Sequence, residues 1–168
     1  MKQTRKLGIS LPVEFLSGME TSTETEYLRS VFGGPEVLLA KVKERNVSCV
    51  EIKSMLQKTS PQAVYAAFRK VKEHGMEAVL HGYLPEHTDT VPFPPFALLF
   101  DYLKKSGRSM IMVVHALRSK QRNSEENGAV TARIMAELIS FFSREEYKVQ
   151  LALENNRDHG NPDPSYTY

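Results

Sequence analysis

Short apolar runs alternate with longer amphipathic stretches along this chain. The first run, Leu7-Gly8-Ile9-Ser10-Leu11-Pro12-Val13, predicts a strand that Pro12 ends. The polar stretch from Glu20 to Glu26 predicts a loop. Pro35 to Asn46 then places Val37, Leu38, Leu39 and Val42 on one broad helical face, with Pro35 suited to a first helical position. Ser48 to Ile52 predicts a second strand. Ser60-Pro61 opens a helix whose Val64, Ala67, Phe68 and Val71 follow the helical period, and Gly75 stops it.

The second half repeats the alternation. Ala78-Val79-Leu80 predicts a third strand that runs directly into His81. Beyond a proline-rich loop from Pro85 to Pro95, Phe96 to Ser106 predicts a helix with Leu99, Tyr102 and Leu103 inward, ended by Gly107. Met110 to Val114 is uniformly apolar, which predicts a fourth strand buried on both faces, leading into His115. A polar loop from Arg118 to Asn127 precedes a long helix to about Ser143. Val149 to Leu153 predicts a fifth strand ending at Glu154. The order is strand-helix throughout, about five strands and four helices. It predicts an α/β fold with a parallel sheet and right-handed crossovers.

Composition narrows the function classes. At 168 residues, 41% apolar and 25% charged, the chain fits one soluble globular domain. Its 22 basic residues nearly balance 20 acidic ones, which excludes disorder. A net charge of +2 gives no support to nucleic-acid binding, which shows as a clustered basic face. The single cysteine, Cys49, excludes a disulfide framework and a cysteine-rich zinc module, and reads as a buried strand residue. No long apolar region follows the basic segment Met1 to Lys6, so a cytoplasmic location without a membrane partner is expected. A nucleophile elbow, a phosphate-binding P-loop and a dinucleotide fingerprint are all missing from the sequence.

The candidate chemistry lies at strand ends. His81, His115 and Glu154 each follow an apolar run, at the ends of strands three, four and five. A parallel sheet brings its carboxyl ends to one edge, where α/β folds bind ligands. Neighbouring strands lie ~4.8 Å apart, so three adjacent ends converge on one small volume. Two imidazoles and a carboxylate suit zinc, and the carboxylate also suits manganese. Each histidine alone is more simply a strand-end residue bonding its own loop; the coincidence of three carries the metal reading. Glu51 is a strand-two carboxylate for which a solvated role is equally open. His87 and Asp89 follow His81. Arg118, Lys120 and Arg122 follow His115 and suit a phosphate, although a solvated basic loop is the plainer reading. Arg157, Asp158 and His159 follow Glu154. His74 ends a helix at the opposite end of the sheet and complements its dipole.

The stretches His81-Gly82-Tyr83-Leu84, Val113-Val114-His115 and Leu151-Ala152-Leu153-Glu154-Asn155 resemble strand ends three to five of the xylose-isomerase-like TIM-barrel superfamily. Leu7-Gly8-Ile9-Ser10 and Val50-Glu51-Ile52 are similar to its first and second strands. That superfamily includes sugar-phosphate isomerases and epimerases, and metal-dependent apurinic/apyrimidinic endonucleases. The resemblance implies a divalent metal, zinc or manganese, held by His81, His115 and Glu154, with Glu154 also catalytic. It places Tyr83 beside the first histidine and Glu51 near the pocket, and both, with Arg118 and His159, are candidates for substrate contact. His115 is followed by Ala116-Leu117-Arg118 without the proline-glycine step of the endonucleases, and Glu154 by Asn155-Asn156 rather than small residues. The carbohydrate branch is therefore favoured, with a sugar or sugar phosphate as partner. A zinc phosphodiesterase acting on abasic DNA and a non-catalytic barrel remnant are the alternatives. A closed barrel of this type takes ~250 residues. Residues 1–168 are accordingly expected to form one partial barrel domain, the N-terminal part, without strands six to eight. Self-association through open sheet edges is the corollary.

Overall fold

The computed structural model describes residues 7–19, 22–53, 59–82, 84, 96–117 and 121–154. Five strands, β1 (Leu7–Pro12), β2 (Val47–Lys53), β3 (Glu77–His81), β4 (Met110–His115) and β5 (Val149–Glu154), form one sheet. All neighbours are parallel and the spatial order is β1-β2-β3-β4-β5. Six helices connect them: α1 (Val13–Ser17), α2 (Thr23–Phe32), α3 (Pro35–Glu44), α4 (Pro61–Glu73), α5 (Ala97–Ser106) and α6 (Ser124–Arg144). Under the right-handed crossover rule for parallel strands, strict sequential order places the connecting helices on one side of the sheet.

Burial follows that asymmetry. Leu11, Val50, Ile52, Leu80, Met110, Met112 and Val114 share one face through the strand register and are all buried. They pack in one core with Val64, Ala67, Phe68 and Val71 of α4, Leu99 and Leu103 of α5, and Ile134, Leu138 and Phe142 of α6. Ser10, Glu51, Val79, His81, Ile111, Val113 and His115 occupy the other face, and none is buried. Ile111 is 42% exposed. This corrects the reading of β4 as buried on both faces. An apolar run does not reveal that its helices lie on one side only.

Several local predictions hold for stated reasons. Pro12 is the last residue of β1. The Ser60 hydroxyl accepts the Ala63 N–H at 3.2 Å, capping α4 ahead of Pro61. Gly75 (φ 68°) and Gly107 (φ 66°) end α4 and α5 in the left-handed conformation that costs glycine nothing.

Other predictions are corrected. Among the described residues six helices are present where four were expected, because three helices, not one, link β1 to β2. The five-residue α1 is too short to show a period, yet its Val13, Phe15 and Leu16 are fully buried. α2 begins inside the stretch expected to be a loop. Ser22 accepts the Thr25 N–H at 3.2 Å and Thr25 accepts the Ser22 N–H at 2.8 Å, a reciprocal cap. The same device starts α6 early: Asn123 and Glu126 exchange backbone hydrogen bonds, both at 2.9 Å, so the helix begins at Ser124. Val37 is 45% exposed, because α3 buries Leu38 and Leu39 instead. Cys49 is half-buried and lies on the uncovered face, aligned with Glu77. No described helix is long and apolar enough to cross a membrane.

Candidate metal centre

A line of polar side chains crosses the uncovered face, one from each strand. Ser10 on β1 stands level with Glu51 on β2. Glu51 is level with Val79, so His81 lies two residues further along β3. His81 is level with Val113, so His115 lies two further along β4. His115 is level with Glu154 on β5. The period of two along each strand keeps all five on one face.

The side chains form a connected series. His81 Nδ1 lies 2.5 Å from Glu51 Oε1. His81 Nε2 lies 2.6 Å from His115 Nε2, and the two rings are 4.5 Å apart between centroids. His115 Nε2 lies 4.0 Å from Glu154 Oε2. Side-chain exposure is lowest at His81, 17%, and reaches 29% at Glu51, 32% at His115 and 49% at Glu154. The site therefore opens toward solvent at its β5 end.

Burial pushes the Glu51 carboxyl upward. Hydrogen bonds from His81 and Ser10, with the positive charge of Lys53, outweigh it and hold the carboxyl below the usual glutamate range. Glu51 is therefore a carboxylate at neutral pH and can only accept from the imidazole.

Gly82 keeps the two histidines together. Its N–H donates to the Val113 carbonyl at 2.7 Å. A Cβ there would meet Met112 Sδ at 2.8 Å and Cγ at 2.9 Å, and Met112 is fully buried. The close approach that glycine allows locks the end of β3 against β4.

His81, His115 and Glu154 each offer one ligand atom, all within 4.8 Å of one another. Two nitrogens on one tetrahedral zinc, at bonds of ~2.0–2.1 Å, stand roughly 3.3 Å apart. Seating an ion needs the facing nitrogens to part by roughly 0.7 Å, a small ring rotation, while the exposed Glu154 carboxylate closes in. The donor types and their convergence fit a borderline divalent cation. No protein-family model and no curated protein matches the chain.

The structure thus brings together His81, His115 and Glu154 as expected, and adds Glu51 as the hydrogen-bond partner of His81. Tyr83, Arg118 and His159, with His87, Asp89, Lys120, Arg157 and Asp158, lie outside the described residues. His74 caps α4 at the far end, its Nδ1 donating to the Lys70 carbonyl at 2.9 Å. Ser10 and the role of Gly82 were missed from sequence. The signal for Gly82 was its place directly after a strand-end histidine; for Ser10 it was a polar residue inside an apolar strand. A groove lined by Tyr65, Leu98, Asp101 and Tyr102 lies between α4 and α5, on the helical side of the sheet.

Proposed function

We propose that this chain carries the metal-holding arc of a xylose-isomerase-like barrel, acting in isomerisation or epimerisation of a sugar or sugar phosphate. The observation that carries the reading is the convergence of His81, His115 and Glu154 at three adjacent strand ends. A barrel is supported by the stagger of the polar row. Its steps from strand to strand are none, two, two and none, an average of one residue per strand. That is the average offset of an eight-stranded barrel with a shear of eight. The uncovered sheet face is then the inward face of the barrel.

His81, His115 and Glu154 would hold a zinc or manganese ion. When bound, such an ion supplies Lewis acidity, drawing electron density from a sugar carbonyl and stabilising the negative charge that develops on its oxygen. Glu154 is the most exposed of the three donors, so it would be the first that a polar substrate meets. Its carboxylate would take a proton from the carbon beside the carbonyl. Returning it to the adjacent carbon, with the neighbouring hydroxyl proton passing to the former carbonyl oxygen, isomerises the sugar; epimerisation would take its returning proton from a second donor on the opposite face. Glu51 and His81 lie deeper and maintain the geometry.

A second reading, hydrolysis of a phosphodiester, has one observation in its favour. Two imidazoles and one carboxylate form the donor set of several zinc hydrolases. Against it stand the residues after His115 and Glu154 and the weak net charge of +2.

The test is proton exchange with solvent. Phosphorylated aldoses and ketoses are incubated with the zinc- or manganese-loaded chain in D2O and followed by NMR. Deuterium should enter at the carbon beside the carbonyl, stop on chelation and fall at least about a hundredfold in Glu154→Ala, the loss of a positioned proton carrier. Cleavage of abasic-site DNA without sugar exchange would favour the second reading. Neither activity in metal-loaded protein would mark a non-catalytic chain.

A further inference from the structure

We propose that Glu51 is a positioning residue: it holds the Nδ1 proton of His81 and so turns the unprotonated Nε2 of that ring toward the ligand position. The inference rests on the metal-site reading above and assigns to Glu51 a role other than substrate contact. Three observations support it. Glu51 Oε1 approaches His81 Nδ1 at 2.5 Å, so one ring nitrogen is committed to the carboxylate. The other, Nε2, faces His115 Nε2 at 2.6 Å, on the side where Glu154 completes the cluster. Glu51 is itself held, taking a hydrogen bond from Ser10 on the neighbouring strand.

The chemistry follows from what each group can do. A carboxylate has no proton to give, so the proton in the short contact belongs to His81 Nδ1. A neutral imidazole with Nδ1–H keeps its lone pair on Nε2, the form that coordinates a cation. A carboxylate on the far nitrogen also raises the basicity of the coordinating one and fixes the ring plane. Removing such a partner weakens metal binding by roughly 10–100-fold. Strand β2 thus acts on the metal position through His81, without supplying a ligand.

The experiment has two readouts on the whole chain. Long-range proton–nitrogen NMR reads the His81 tautomer in protein treated with chelator, and zinc affinity is measured by competition with a chromophoric chelator. Wild type should show protonated Nδ1 and bare Nε2. Glu51→Ala should lose that tautomer bias and bind zinc roughly 10–100-fold more weakly. Glu51→Gln keeps an acceptor but no charge, so it should retain the tautomer and fall between the two in affinity. His115→Ala removes a donor and should leave the His81 tautomer unchanged. Protonated Nε2 in wild type, or a Glu51→Ala variant unchanged in both readouts, would overturn the proposal. The wild-type tautomer needs no substitution, so a variant that fails to fold does not remove the test. A wild type with the expected tautomer but no zinc affinity would overturn the metal reading and leave the Glu51 assignment supported.

Discussion

His115→Ala is expected to bind zinc roughly a hundred- to a thousandfold more weakly than the unaltered chain. His115 is the centre of the cluster: its Nε2 lies 2.6 Å from His81 Nε2 and 4.0 Å from Glu154 Oε2. Four-ligand structural zinc sites bind with ~10–16 kcal/mol, or about 3 kcal/mol per ligand. At 1.4 kcal/mol per tenfold, losing one ligand gives roughly that range. His81→Ala should be of similar size and Glu154→Ala smaller, since a 49% exposed carboxylate is partly replaced by water. A competition assay at fixed pH checks the order. Stability should change little in His115→Ala, because the residue lies on the uncovered face and its side chain is 32% exposed. Equal zinc affinity in all three variants and wild type would exclude the site.

Phe15→Ala should be the most damaging of the single core substitutions between β1 and β2, at about 3–5 kcal/mol. Phe15 is fully buried, and its short helix α1 packs on α4 beneath the sheet. Val13 and Leu16, also fully buried, flank it, so the cavity cannot collapse without moving α1 itself. Domains carry only ~5–15 kcal/mol in total, so this loss is a large share of the whole. Thermal unfolding of a chain this size should shift downward by roughly 10 °C or more. A change below about 1 kcal/mol would mean that α1 is not part of the cooperative core.

Strand ends were the most legible feature of the sequence. His81, His115 and Glu154 each close an apolar run, and a parallel sheet allows only one edge for all three. Their convergence needed no side-chain geometry to anticipate. Glu51 was visible as a carboxylate, but its partner was not. Pairing it with His81 depends on the register that sets Glu51 beside Val79, and register is not written in either strand alone. Ser10 was hidden for the same reason. The helices between β1 and β2 were lost differently. α1 has too few residues for a period, and α2 starts with polar residues whose reciprocal cap resembles loop composition. On β4 the alternation that betrays a one-sided strand was masked, because Ile111 and Val113 are apolar on the uncovered face as well.

That same face carries the central claim, that three strand ends of this sheet form one divalent-metal site. X-ray absorption at the zinc edge of the loaded chain tests it most directly. The expected result is one zinc per chain with two imidazole nitrogens and carboxylate oxygen around it at ~2.0–2.2 Å, and loss of one imidazole in His115→Ala. A shell of oxygens alone, or a spectrum unchanged by that substitution, would contradict it.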